Sequence, residues 1–157
     1  MNVKIEEKKG FRLVGYKEWT SLENGENFKK IPMMWQNLPQ ESYKKLFGLT
    51  DSEPSGIVGV CADMYNNGFE YWIAVSTTKE CPRDMECLLV PDALWAVFEA
   101  KGALPKAIQD MWGKIYSEWL PTSGYEHAPL PEIEWYGAGD SKSDDYLSRI
   151  WIPVIKK

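Results

Sequence analysis

The sequence has few of the residues that build metal sites. It contains a single histidine, His127, and three cysteines, Cys61, Cys81 and Cys87, which follow no paired spacing. A structural zinc site takes about four Cys or His ligands at characteristic spacings, and neither a CxxC nor an HExxH pattern occurs. The sequence therefore predicts no metal site and reduced, packing thiols.

Motifs for phosphate binding and for serine hydrolysis are missing as well. Neither GxGxxG nor GxxxxGK[ST] appears, so a nucleotide cofactor has no glycine-rich loop to bind. Ser123, Glu126 and His127 lie together in one segment without the GxSxG elbow, which argues against a serine hydrolase. We expect no cofactor.

The sequence also lacks a positive charge excess and a long apolar stretch. Its 18 Lys and Arg are outnumbered by 23 Asp and Glu, for a net charge of −5, and the two signs are interspersed. No basic stripe is available for a nucleic-acid backbone. The longest apolar run, 57–62, is far too short to cross a bilayer, and the amino terminus does not have the apolar stretch of a signal peptide. We expect a cytoplasmic protein that binds neither nucleic acid nor membrane directly.

Aromatic side chains are abundant instead. The 157 residues, a length typical of one domain, include eight Trp, eight Tyr and five Phe. A buried indole N–H needs a hydrogen-bond partner, so this many Trp side chains are difficult to place in a core alone. A ligand pocket would provide partners and a use for the rings.

Hydrophobic periodicity predicts an α+β fold. The expected strands lie around 3–5 and 11–13, at 56–61 and 69–77 joined by the turn Asn66-Asn67-Gly68, at 85–90 and 94–101 paired through Pro91-Asp92, and at 132–136 and 146–155. Segments 121–131 and 137–145 are expected to be loops, the second of them mobile and without a packing role.

Two main helices are expected between these strands. Ile31, Met34, Trp35 and Leu38 share one face, with Pro32 near the start of the helix, and 43–47 adds a further turn or two. The longest helix runs from Leu104 to Trp119, with Pro121 beyond its end. The order strand, helix, strand, strand occurs twice, so we expect a single domain, 1–157, with pseudo-repeats at about 1–78 and 84–157.

One acidic side chain attracts functional interest. Alternation along 132–136 places Glu132, Glu134 and Tyr136 on one face of a strand and Ile133 with Trp135 on the other. In one interpretation Ile133 and Trp135 enter the core and both carboxylates meet solvent. In the other, Glu134 projects into an aromatic-walled cavity, where a cationic ligand would supply its missing counter-charge and cation–π contacts would add affinity.

Several segments, in this order, resemble the GyrI-like small-molecule-binding domains, which also form the effector-binding half of AraC-type and MerR-type multidrug-responsive regulators. The resemblance spans nearly the whole chain and rests on IP at 31–32 with Trp35, FEYW at 69–72, WAVF at 95–98 with Gly102, WLPTSGYE at 119–126, PEIEWY at 131–136 and IWIPV at 150–154.

The resemblance implies a duplicated strand-helix-strand-strand fold with an antiparallel sheet and a central ligand cleft. It also implies a buried glutamate that meets cationic, lipophilic drugs, and the matching position here is Glu134. Tyr136 would share its face, and Trp151 on the neighbouring strand is expected beside it. The full set of expected ligand-binding residues is Glu134, Tyr136, Trp95, Tyr71, Trp72, Trp112, Trp151 and Trp35.

Unlike the regulators, the chain shows no helix-turn-helix segment before this domain, so we expect a free-standing binder of small lipophilic, often cationic aromatic compounds. Some stand-alone relatives are similar to hydrolases that open cyclopropane rings of DNA-alkylating compounds. For that alternative, Glu134 and Tyr136 would be the catalytic residues. A third possibility is a protein partner such as DNA gyrase or a regulator, although no motif in the sequence singles out a partner surface.

Overall fold

The computed structural model describes residues 1–157 and divides into two compact units. The central unit is Gly10–Pro91, and the terminal unit is formed by Met1–Lys9 together with Asp92–Lys157. Each unit has its own strands, helices and hydrophobic core.

The strands and helices alternate along the chain much as the hydrophobic periodicity predicts. In chain order the strands are β1 (Asn2–Lys8), β2 (Phe11–Ser21), β3 (Val58–Tyr65), β4 (Gly68–Ser76), β5 (Glu86–Val90), β6 (Ala93–Lys101), β7 (Tyr125–His127), β8 (Glu132–Tyr136) and β9 (Leu147–Lys156). The helices are α1 (Glu26–Asn37), α2 (Gln40–Leu49) and α3 (Lys106–Lys114). Helix α3 continues through a π-helical turn, Ile115–Trp119, into a last turn, Leu120–Thr122.

In the central unit the strands follow the order β3-β4-β2-β5, and every neighbouring pair is antiparallel. Strands β3 and β4 are joined by Asn66 and Asn67, both with positive φ (52° and 54°). Two such residues in a two-residue loop match the twist of a hairpin, so the predicted turn is confirmed. One face of these strands packs against α1 and α2 through Val14, Tyr71, Ile73 and Leu46.

In the terminal unit the order is β1-β6-β9-β8, again antiparallel, with β7 also paired to β9. Its core lies between the strands and the helical segment that starts at α3. Ala96 and Phe98 of β6, Ile150 and Ile152 of β9, and Ile108 of α3 meet there. Burial of such side chains supplies the main driving force for folding.

The two units share one internal topology. In the central unit β2, the α1–α2 pair, β3 and β4 follow each other along the chain, and in the terminal unit β6, α3, β8 and β9 do so. In each set the second strand lies beside the third, and the third lies beside the first. One extra strand, β5 in the central unit or β1 in the terminal unit, pairs with the first. The predicted α+β fold with duplicated strand-helix-strand-strand units is therefore confirmed.

One predicted hairpin is wrong. Strand β5 pairs with β2, whereas β6 pairs with β1 and β9, so the two strands on either side of Pro91-Asp92 belong to different units. A short connection is compatible with a hairpin but does not require one, and here the chain passes from one unit to the other at this point.

The loops also differ from expectation. The segment predicted as a plain loop at 121–131 contains β7, and Pro121 lies inside the last helical turn. The segment 137–145 does have structural contacts, because the Leu104 backbone N–H donates to the Ser141 carbonyl oxygen and the Tyr146 hydroxyl to the Gly137 carbonyl oxygen. Pro32 lies within α1 rather than near its start, because polar residues from Glu26 onward extend the helix before its first apolar face residue.

Candidate functional site

Glu134 lies in β8 on the side of the sheet that faces the helix. Its register partner on β9 is Ile150, a fully buried member of the core beside α3. Directly opposed residues on antiparallel strands point to the same face, so Glu134 and Ile150 share the helix side. Ile133, which is fully buried, points to the opposite side.

Both carboxylate oxygens of Glu134 accept hydrogen bonds from aromatic side chains. The indole Nε1 of Trp112, on α3, donates to Oε2 at 2.6 Å, and the Tyr136 hydroxyl donates to Oε1 at 2.5 Å. Hydrogen bonds to an ionised acceptor are short and strong, as these are. No Lys, Arg or His side chain forms an ion pair with Glu134. Its charge is met by two neutral donors alone.

Glu132, two residues earlier on the same strand, has a second set of partners. Its Oε1 accepts a hydrogen bond from the Tyr116 hydroxyl at 2.6 Å and lies 2.7 Å from Nε2 of His127. The side chain of Glu132 is 20% exposed and that of His127 is 28% exposed. The expectation that both carboxylates simply meet solvent therefore describes neither of them.

The imidazole of His127 lies between two acceptors. While Nε2 faces Glu132, Nδ1 lies 2.5 Å from the carbonyl oxygen of Ala128. Burial lowers the pKa of His127, but the hydrogen bond to Glu132, the hydrogen bond to Ala128 and the charge of Glu132 outweigh it, so that the pKa is raised above its ordinary value. The protonated ring can donate to both acceptors at once.

The two carboxylates are linked through the helix above them. Trp112 and Tyr116 are four residues apart, and their rings stack with centroids 5.9 Å apart and planes inclined by 15°. One ring donates to Glu134 and the other to Glu132. Side chains at this spacing lie on one helix face, just as residues two apart lie on one strand face. The periodicities of a helix and a strand thus bring four side chains together.

Three of the expected ligand residues, Glu134, Tyr136 and Trp112, come together in the structure. Tyr116, His127 and Glu132 are not among the expected ligand residues. The sequence does contain a signal for this cluster. Trp112 and Tyr116 are four residues apart on a helix, and Glu132 and Glu134 are two residues apart on a strand, so each pair shares one face of its element. The approach of His127 to Glu132 depends on the path of 128–131 and has no sequence signature.

Trp95 and Trp151 lie on the other face of the terminal unit's sheet. Trp151 opposes Ile133 in the register, so it points away from Glu134, and the expectation that it stands beside Glu134 is wrong. Both indoles are buried and meet edge to face at 5.8 Å. The ammonium group of Lys8 lies 4.4 Å from the centre of the Trp151 ring and pairs with Glu6 at 2.9 Å.

The three remaining expected ligand residues belong to the central unit. Trp35, on α1, donates from Nε1 to the Tyr71 hydroxyl at 2.8 Å, and both side chains pack with the core on the helix side of the sheet. Trp72 points to the other side, where Lys17 lies 5.5 Å from its ring centre. The indole N–H of Trp72 is buried without a hydrogen-bond partner.

A groove of about 630 Å³ opens in the central unit between β2 and α1. Three lysines, Lys17, Lys29 and Lys30, line it together with Glu18 and Glu26, so the groove is not acidic. Methionines 33 and 34 form part of its apolar wall. None of the expected ligand residues lines this groove.

The structure contains no group of three or more His, Cys, Asp or Glu side chains that could hold a metal ion. Its helices are also too short or too polar for any of them to cross a membrane.

The sequence of this chain matches a known protein family. Residues 4–154 match the profile of the family Cass2, described as integron-associated effector binding protein. A search of the curated proteins gave no match.

Solved structures match over nearly the full chain. SAV2435, determined bound to tetraphenylphosphonium, is 26% identical with a TM-score of 0.88, and the match covers 99% of this chain and 94% of that one. The integron cassette protein VCH_CASS2 of the mobile metagenome of Vibrio cholerae is 18% identical with a TM-score of 0.62, covering 98% and 95% of the two chains. The C-terminal domain of EcmrR is 17% identical with a TM-score of 0.67, covering 99% and 98%. The last two likenesses show the fold alone.

Proposed function

The chain belongs to the family of integron-associated effector binding proteins, and we propose that it binds small lipophilic cations, with Glu134 as the group that meets the positive charge. Trp112 and Tyr136 are the aromatic side chains that the proposal places beside the ligand.

The observation that carries this proposal is the electrostatic state of Glu134. A partly buried carboxylate has lost some of its hydration, and its two oxygens receive neutral donors in place of a cation. A charge withdrawn from water without a counter-charge is unfavourable, and an incoming cation removes that penalty. The arrangement therefore favours a positively charged ligand over a neutral one of the same shape.

The surrounding rings add a preference for lipophilic ligands. Trp112, Tyr116 and Tyr136 each donate a hydrogen bond to one of the two carboxylates, and the rings of Trp112 and Tyr116 stack on each other. A cation over an aromatic face gains about 0.5–2 kcal/mol, depending on how far it is desolvated. A ligand whose charge is spread over apolar groups loses little hydration on entering such a site. Phosphonium and quaternary ammonium compounds fit this description.

SAV2435 supports the ligand class. It shares the fold over nearly its whole length, and its structure was determined with tetraphenylphosphonium, a lipophilic monocation. We extend this ligand class to the present chain because Glu134 offers the required negative charge.

Titration with tetraphenylphosphonium tests the proposal. Wild-type protein should bind it, with a change in tryptophan fluorescence and a heat of binding, and Glu134→Gln should lose most of the affinity. Glu126→Gln is the matched control, because it removes the same charge from an exposed residue of the same unit. If both variants bind as the wild type does, the role given to Glu134 is wrong.

Hydrolysis of a cyclopropanoid electrophile in the same site is the enzymatic alternative. It requires Glu134 to orient or deprotonate a water molecule, whereas both of its oxygens accept hydrogen bonds from protein side chains. This favours binding over catalysis. Incubation with excess cyclopropanoid compound distinguishes them by mass spectrometry, because binding yields no water adduct and catalysis yields many equivalents per protein.

A further inference from the structure

His127 is the one side chain near the proposed site that can carry a positive charge and contacts a carboxylate there. It faces Glu132 through Nε2 and the Ala128 carbonyl oxygen through Nδ1. Both neighbours are acceptors, so an imidazolium, which donates from both nitrogens, can form a hydrogen bond with each of them. The pKa of His127 is raised accordingly, since these contacts outweigh the effect of burial.

The other groups around His127 come from the helical segment, from β9 and from the short turn that packs on β7. Tyr116, from the helical segment, donates to the same oxygen of Glu132 that His127 approaches. On β9, the register partner of His127 is Val154, and the charged residue on that face, Lys156, lies opposite Tyr125. The short helical turn Leu120–Thr122, which packs on β7, contributes no ionisable side chain. Glu132 is thus the charged partner of His127.

We propose, in an inference that rests on the proposed function, that the protonation state of His127 determines whether the site prefers monocations or dications. When the imidazole is protonated, it neutralises Glu132, and Glu134 is the one carboxylate left for a ligand. When the imidazole is neutral, Glu132 also lacks a counter-charge, and the site presents two negative charges on one strand face.

The spacing of these charges suits a dication with a rigid aromatic core. Residues two apart on a strand are separated by about 7 Å between Cα atoms. The stacked rings of Trp112 and Tyr116 extend along the same direction, since each donates to one of the two carboxylates. The second ammonium group of such a ligand would replace the charge of the imidazolium at Glu132, and the imidazolium would release its proton to solvent.

A matched pair of quaternary ammonium compounds tests this. Benzyltrimethylammonium carries one charge, and p-xylylenebis(trimethylammonium) adds a second on the opposite side of the same ring. Their affinities are measured by calorimetry at about pH 5.5 and about pH 9, on either side of the titration of histidine. For the wild type, we expect the ratio of dication affinity to monocation affinity to rise about tenfold from the lower pH to the higher one. This is the effect expected from one additional ion pair in a partly exposed site.

Two variants should remove the pH dependence in opposite ways. His127→Gln keeps a neutral donor toward Glu132, so the affinity ratio should be high at both pH values. Glu132→Gln removes the second charge, so the ratio should be low at both. A ratio that does not change with pH in the wild type, or the same pH dependence in His127→Gln, overturns the proposal.

Because the chain has one histidine, its imidazole resonance can be followed by NMR without assignment. The dication should lower the pKa measured for His127 more than the monocation does, since coupling between ligand and proton is reciprocal. Equal shifts with the two ligands would contradict the proposal. Tetraphenylphosphonium serves as the reference: if it does not bind at either pH, the proposed function fails and this inference with it, whereas binding without an effect of charge number rejects the role of His127 alone.

Discussion

The indole Nε1 of Trp112 lies 2.6 Å from Oε2 of Glu134 and donates a hydrogen bond to it. This contact joins α3 to β8 within the terminal unit. It also fixes the orientation of a carboxylate that no protein cation neutralises, and so it serves both the fold and the proposed site.

Trp112→Phe should therefore destabilise the protein by more than the loss of ring area explains. A hydrogen bond to a charged group contributes about 1.5–3 kcal/mol, and its removal leaves one oxygen of Glu134 without a protein donor. The change in free energy of unfolding is measured by urea denaturation. Trp19→Phe is the matched control, because Trp19 donates at 3.2 Å to the neutral carbonyl of Tyr65 in an exposed position. Equal losses of unfolding free energy in the two variants would show that the charge of Glu134 does not strengthen its hydrogen bond with Trp112.

The contact between His127 and Glu132 predicts a pH dependence of stability. The pKa of His127 is raised in the folded state, because its hydrogen bonds to Glu132 and Ala128 outweigh desolvation. A raised pKa means that the folded state binds the proton more tightly than the unfolded state does. The stabilisation is then fully present below about pH 6.5, the unfolded value, and is lost as the pH rises through the folded value.

We expect the free energy of unfolding of the wild type, relative to His127→Gln, to fall between about pH 6 and about pH 9. Urea denaturation of both proteins across this range measures the difference. A difference that grows with rising pH would mean that the imidazole is neutral in the folded protein.

Gly15 is expected to tolerate no side chain. It lies on β2 opposite Ala74 of β4, and a Cβ atom there would stand 2.2 Å from the carbonyl oxygen of Ile73. Gly15→Ala must displace backbone in the middle of the sheet, so a loss of about 2 kcal/mol or more is expected.

Gly48, in α2, is the matched control for this substitution. A Cβ there meets nothing within 4 Å, and Gly48→Ala should stabilise the protein by up to about 1 kcal/mol, because alanine favours a helix. Thermal unfolding compares the two variants. A Gly15→Ala protein as stable as the wild type would show that β2 and β4 can separate without cost.

The elements of the fold were predictable where local sequence determines them. Asn66 and Asn67 adopt the positive φ that their side chains tolerate, and the hairpin follows. Alternation placed Glu134 and Tyr136 together on one face of β8, and helical spacing gave the buried face of α3. The pairing of β5 with β2 was not predictable, because the turn at Pro91-Asp92 is equally compatible with a hairpin and with a passage between units.

The candidate site was partly predictable for the same reason. Alternation within one strand needs no knowledge of its neighbours, so the face that carries Glu134 could be read from the sequence. The position of Trp151 depends on the register between β8 and β9, which pairs it with Ile133, and a shift of one residue would have brought it to the side of Glu134. The contact of His127 with Glu132 is likewise a tertiary one.

The proposed function depends most on the sign of the ligand charge that Glu134 selects. Tetraphenylphosphonium and tetraphenylborate have nearly the same shape and apolar surface and carry opposite charges, so their affinities for the wild type isolate the electrostatic term. At about pH 5.5, where a protonated His127 neutralises Glu132, we predict that the cation binds at least about tenfold more tightly than the anion, equivalent to about 1.4 kcal/mol, and that Glu134→Gln abolishes this difference. Equal affinities for the two ions in the wild type, or a preference that survives in Glu134→Gln, would contradict it.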